Sequence, residues 1–308
     1  MNPSLAIPND APRPPSAEPR AIPFARIFAW TVRRELWESR SIYLAPLSVA
    51  VLFLFGFLIS TPALPARMRA FSLLDAVHRQ RGIVRHYDLA AALIMGAATI
   101  VAIFYCLDAL HGERRDRSIL FWKSLPVSDL TAVLAKASIP IVALQLVSFA
   151  TIVVTQLVML LVSTAVLRAS GMSAAPLWEQ LSIFRTWLLL LYHLVAVHAL
   201  WYAPIYAWLL FVSAWSRRAA FLWAILPPFA IGGLEKIAFN SSSFAGLLWH
   251  RLTGGMEAMI MPGTLPMSPM NHATPGRFVT SPGLWIGLAV AAGFLAATVR
   301  LRRLRGPL

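Results

Sequence analysis

Apolar and charged positions along this chain fall into long blocks. Six windows hold no Asp, Glu, Lys or Arg: 41–66, 89–107, 137–167, 186–216, 219–234 and 278–299. Together they take up nearly half of the 308 residues. A helix needs about 20 mostly apolar residues to cross a bilayer core. The pattern predicts an all-α polytopic membrane protein with six transmembrane helices, at about 42–60, 89–110, 138–164, 187–212, 219–238 and 281–300. The fifth window is short and carries Pro227-Pro228 and Gly232-Gly233, so it reads as either a whole, a broken or a re-entrant segment. Irregular backbone at membrane depth is tolerated only against protein or a water-filled cavity.

Before the first window the period changes. Phe24, Ile27, Phe28, Val32 and Leu36 recur at three- and four-residue spacing, while Arg26, Arg33 and Arg40 recur every seven on another face. That pattern predicts an N-terminal interfacial helix over 24–40 with arginines toward lipid headgroups; a cytosolic lead-in helix would look similar. Glu35 falls on its apolar side. Residues 1–23 contain seven prolines and little apolar material, which predicts a disordered cytoplasmic tail and no cleavable signal peptide. Residues 301–308 form a basic tail.

Charge then orients the bundle. Of the 27 Lys and Arg, most fall in the N-terminal segment, the 111–136 loop, Arg217-Arg218 and the C-terminal cluster. By the positive-inside rule both termini are cytoplasmic, as expected in a bacterial inner membrane. The 61–88 segment, read as an outer loop, argues against this with five arginines. The net charge of +14 is therefore a matter of topology and does not imply nucleic acid. With 58% hydrophobic and 13% charged residues, the chain is no ordinary soluble enzyme. The single cysteine, Cys106, excludes a disulfide scaffold.

Candidate chemistry is sparse. No Gly-rich phosphate loop, zinc-protease motif or Gly-x-Ser-x-Gly elbow occurs, so no catalytic residue, metal ligand or bound cofactor is assigned. His193 and His198, five apart, stand about 140° apart on an α-helix and are not expected to converge on one metal. Two polar stripes stand out. Gln145, Ser148, Thr151, Thr155 and Gln156 share one arc of the third span, and Tyr192, His198, Tyr202 and Tyr206 one arc of the fourth. They line a translocation path or they glue helices together. Glu235 at the end of the fifth span belongs to that path or to the outer interface.

The strongest local signal is the loop between the second and third spans. Glu113 to Arg117 is a charged run that includes Arg114 and Arg115, followed by the apolar cluster Ile119, Leu120, Phe121, Trp122 and Leu125. Pro126 stops that element, and Ser128 can cap a helix running through Lys136. Apolar clusters rimmed by charge mark partner surfaces, unless the loop packs on its own membrane surface. Here the sequence resembles the membrane subunit of ABC-2 family ABC transporters. The resemblance rests on Glu113-Arg114, the apolar run Ser118 to Trp122, Leu125-Pro126-Val127-Ser128 and Lys136. It extends to Val32-Arg33-Arg34-Glu35-Leu36 in the preceding interfacial helix.

The resemblance implies a permease subunit of an ATP-driven exporter. The 113–128 loop would hold a coupling helix docking on a separate ABC-type ATPase, which binds the ATP and Mg. A second permease subunit, identical or related, would complete the complex. Leu120, Phe121, Trp122 and Leu125 would be anchors, with Arg114, Arg115 and Arg117 as rim charge. Two other functions fit the composition: a membrane enzyme for lipid-linked substrates using His193 or His198, or a non-transporting anchor for a cytoplasmic complex. Family members also place short re-entrant helices before the last span, where this chain has the long, Met- and Pro-rich segment 239–280.

Overall fold

A computed structural model describes residues 23–118, 120, 127–253 and 275–304. Among these, all regular structure is helical, and six helices are long and apolar enough to cross a membrane. The expected tails and Phe121, Trp122, Leu125 and Pro126 lie outside the described residues, apart from Pro23 and residues 301–304.

The amphipathic segment forms α1 (Phe24–Glu38), followed by α2 (Ser41–Ser60) and α3 (Leu64–Ser72). The second apolar helix, α4 (Ala76–Asp108), is much longer than its uncharged window, and α5 (His111–Arg115) continues it. The expected outer loop at 61–88 is therefore mostly helical. Its arginines do not break the helix because Arg favours helical backbone nearly as well as Leu. Arg79 also donates to the carbonyls of Phe71, Ser72 and Leu74 and closes the α3–α4 turn.

The third span begins with α6 (Asp129–Ser138). The Ser128 hydroxyl caps it by accepting from the Thr131 amide at 3.1 Å. A π-helical turn, Ile139–Ala143, joins it to α7 (Leu144–Ala169). The fourth comprises α8 (Ala175–Leu181), α9 (Ile183–His193), a longer π-helical stretch Leu194–Trp201, and α10 (Ala203–Trp215). The single span expected at 187–212 is thus interrupted at Tyr202. Proline explains both irregularities: it lacks an N–H and clashes with the carbonyl four residues back. Pro140 lies inside the first π turn and Pro204 just after the second.

The fifth span is an unbroken helix, α11 (Ala220–Phe239), despite Pro227-Pro228. α12 (Ser243–Leu252) then folds back along it, with Phe244 and Ala245 closest to Gly232. The short α13 (Pro275–Thr280) precedes the last apolar helix, α14 (Pro282–Leu304).

Packing follows the apolar faces. One core cluster joins α4, α10 and the start of α7 through Ala102, Cys106, Leu144 and Leu210. Another joins α4, α7 and α8 through Ile83, Ala90, Leu160 and Leu177. Trp201 lies against Gly283, and Trp208 and Phe211 lie against Phe294, so α10 and α14 run parallel.

Candidate functional site

Where α1, α5, α6 and α14 meet, five charged side chains form one chain of ion pairs. The Lys136 ammonium lies 2.9 and 3.0 Å from the two Glu35 oxygens and 3.1 Å from Glu113 Oε1. Arg302 pairs through Nη1 with Glu113 Oε2 and through Nε with Asp129 at 3.1 Å. The Tyr105 hydroxyl donates to Glu35 at 2.9 Å. Glu35, Glu113, Lys136 and Arg302 are all buried, the most exposed at 7%. Isolated charges are intolerable there, so each must be paired and hydrogen-bonded.

Local sequence explains how each arrives. Glu35 sits on the apolar side of α1, the position that made its amphipathicity imperfect. Lys136 is one turn into the apolar part of α6, and Arg302 stands in the last turn of α14. A cavity of about 470 Å³ opens beside the cluster, walled by Trp30, Arg34, Asp129 and Arg303 as well as by Glu35 and Glu113. The arrangement joins the loop that starts at Glu113 to α1, to the start of the third span and to the end of the last span at once.

No family model, curated protein or solved structure matches the chain. The site is therefore read from its own geometry.

That geometry turns two residues of the expected docking loop, Glu113 and Arg114, inward. Glu113 is held by Lys136 and Arg302, and Arg114 is 6% exposed, donating to the carbonyls of Ala214 at 2.9 Å and Ser216 at 3.2 Å. Arg114 thereby satisfies carbonyls at the C-terminus of α10, where a cation also suits the helix dipole. The Ser213 hydroxyl accepts from the Leu110 and His111 amides on the same seam. Arg115, Arg117 and Leu120 do face outward, Leu120 at 57% exposure. Arg117 takes a left-handed backbone (φ 59°), which turns the chain sharply after α5.

The third-span stripe is spoken for internally. Ser148, Thr151 and Thr155 donate to the carbonyls of Leu144, Val147 and Thr151 in their own helix. Gln145 donates to the carbonyl of Pro140, inside the π turn. Gln156 bridges helices: it donates to the Tyr87 carbonyl at 3.3 Å and accepts from Trp187 Nε1 at 2.9 Å. Of the five, Gln156 joins its span to two other helices, and the other four bond within their own span.

The fourth-span residues behave differently. In a π-helix the bond runs from i to i+5, which stacks residues five apart. His193 and His198 consequently touch, with ring centroids 5.4 Å apart, against the expectation from α-helical geometry. The ladder continues to Tyr202 at 5.4 Å and Tyr206 at 6.4 Å, while Tyr192 turns toward Phe278. The Tyr206 hydroxyl is buried and has no hydrogen-bond partner among the described residues. Among the described residues no group of three His, Cys, Asp or Glu could hold a metal.

Glu235 belongs to neither stripe. Its carboxylate accepts from the amides of Ser243 and Phe244, both at 2.9 Å, and from the Ser241 hydroxyl at 2.8 Å. It caps the free N–H groups at the start of α12. Sequence reasoning missed Glu35, Tyr105, Asp129 and Arg302 as site members; the misplaced Glu35 in an apolar stripe was the available signal.

Proposed function

We propose that this chain is the membrane-spanning permease subunit of an ABC-2 type, ATP-driven exporter in a bacterial inner membrane, with both termini cytoplasmic. Its helix α1 lies in the inner interface, presenting Arg26, Trp30, Arg33 and Trp37 to headgroups. Two cation–π pairs along that exposed edge, Arg26 on Trp30 and Arg33 on Trp37, both at 4.7 Å, support this placement. ATP and Mg are bound by a separate ABC-type ATPase docked on the 113–128 loop, and a second permease subunit completes the assembly.

The observation that carries this reading is the ion-pair chain at the root of the loop. A displacement of the loop acts directly on Glu113, and Glu113 is tied through Lys136 and Arg302 to α1, α6 and α14. A rigid joint at that point is what transmission from a docked motor to the spans requires, because packed interfaces switch between discrete arrangements. The test is co-purification with the ATPase: Trp122→Asp with Leu125→Asp should abolish it while the variant still folds. Retained assembly refutes the docking assignment.

A second reading, a membrane enzyme acting on lipid-linked substrates, is favoured by one observation, the His193–His198 contact in the π-helical stretch. It requires activity without an ATPase, and full activity in the His193→Gln, His198→Gln double variant eliminates it.

A further inference from the structure

The fold-back of α12 brings Arg251 onto Trp201 and the start of α14. Its guanidinium carbon stands 4.1 Å from the centroid of the Trp201 ring. Nη2 donates to the Gly283 carbonyl at 2.8 Å and Nη1 to the Trp201 carbonyl at 3.4 Å. Trp201 Nε1 donates back to the Arg251 carbonyl at 3.1 Å, and the His250 ring packs edge-on against Trp201. Gly287 is the notch that admits the guanidinium: a Cβ there would collide with Nη2.

Arg79 and Arg114 are held by carbonyls at the C-terminal ends of α3 and α10, while Arg34, Lys136 and Arg302 each lie within 4 Å of a carboxylate. Among the described residues no Asp or Glu comes that close to Arg251, and the titratable side chain beside it, His250, is basic. Burial works against its charged form and pulls its pKa down. A guanidinium offers five N–H donors in a planar fork, and the two carbonyls use only part of it. Carbonyl dipoles and an aromatic face partly offset the charge; an oxyanion would complete it. The neighbouring surface is apolar, with Leu247 69% and Leu252 50% exposed.

We propose that Arg251, fixed by Trp201 and the Gly287 notch, binds a phosphate-type oxyanion. The same chemistry is offered by the headgroup of an anionic amphiphile and by free phosphate. Planar forks recognise such anions through paired, charge-assisted hydrogen bonds. Binding is read on this chain without any ATPase, so its outcome is separate from that of the permease reading.

The test uses the full chain in dodecyl maltoside, titrated with dodecyl phosphate, with dodecanol and with sodium phosphate at constant ionic strength. Binding is followed by thermal unfolding and native mass spectrometry. Dodecyl phosphate is expected to bind about tenfold more tightly than dodecanol, an advantage abolished in Arg251→Gln. A response to sodium phosphate of equal strength identifies the free anion as the ligand; preference for dodecyl phosphate identifies the headgroup. No advantage of either phosphate over dodecanol, or an advantage unchanged in Arg251→Gln, overturns the proposal. Should that variant fail to fold, Gly287→Ala, which keeps every charge but displaces the fork, is expected to lose the same advantage. Full retention in folded Gly287→Ala likewise overturns it.

Discussion

Glu35 and Lys136, 101 positions apart, form a pair 2.9 Å long with each side chain only 4% exposed. Removing one partner of such a pair leaves a buried charge uncompensated, which costs about 3–5 kcal/mol. Lys136→Met should therefore lower the thermal unfolding midpoint in detergent sharply, since it strands both Glu35 and Glu113. Adding Glu35→Gln and Glu113→Gln should recover much of the loss. A Lys136→Met protein as stable as the parent contradicts the pairing.

Neighbouring arginines at the C-terminus should differ strongly. Arg302 holds Glu113 and Asp129, while Arg303 is exposed on the cavity rim. Arg302→Gln is expected to destabilise by several kcal/mol, and Arg303→Gln to stay within about 0.5 kcal/mol of the parent. Parallel denaturation of the two variants decides it.

The bridging role of Gln156 distinguishes glue from path. Gln156→Leu strips the Trp187 indole N–H of its acceptor and should cost about 1–3 kcal/mol in stability. If the residue serves only to join helices, export per folded molecule should be unchanged. A loss of export with no loss of stability would return Gln156 to a translocation path.

The cap on α12 gives a local prediction. Glu235→Ala frees the Ser243 and Phe244 amides and should weaken the start of that helix by about 1 kcal/mol. Hydrogen exchange at those two amides should accelerate roughly fivefold, while amides in α4 and α7 stay protected. Uniform exchange across the chain would contradict the capping role.

On the loop, Arg115 and Arg117 face outward while Glu113 and Arg114 do not. Arg115→Glu with Arg117→Glu should slow association with an ATPase partner, most at low salt, without moving the unfolding midpoint. Arg114→Ala should lower the midpoint instead, because the carbonyls of Ala214 and Ser216 lose their donor.

The sequence by itself determined what burial in lipid demands of composition. Uncharged windows long enough to cross a bilayer can do little but form helices, so six apolar helices, the amphipathic α1 and the Ser128 cap were legible from local pattern alone. Long-range pairing was not. Nothing near Glu35 in the chain announces Lys136, and nothing near Arg114 announces the end of α10, because polar contacts across 100 residues are set by how helices pack. The same holds at His193 and His198: α-helical geometry separates them, and only the π-helical register ahead of Pro204 brings them together. Tertiary structure decided which polar residues are buried and paired and which are exposed. The physical reason is that a charge or hydroxyl inside a bundle must find its partner within a few ångströms, and chain order does not specify that neighbour.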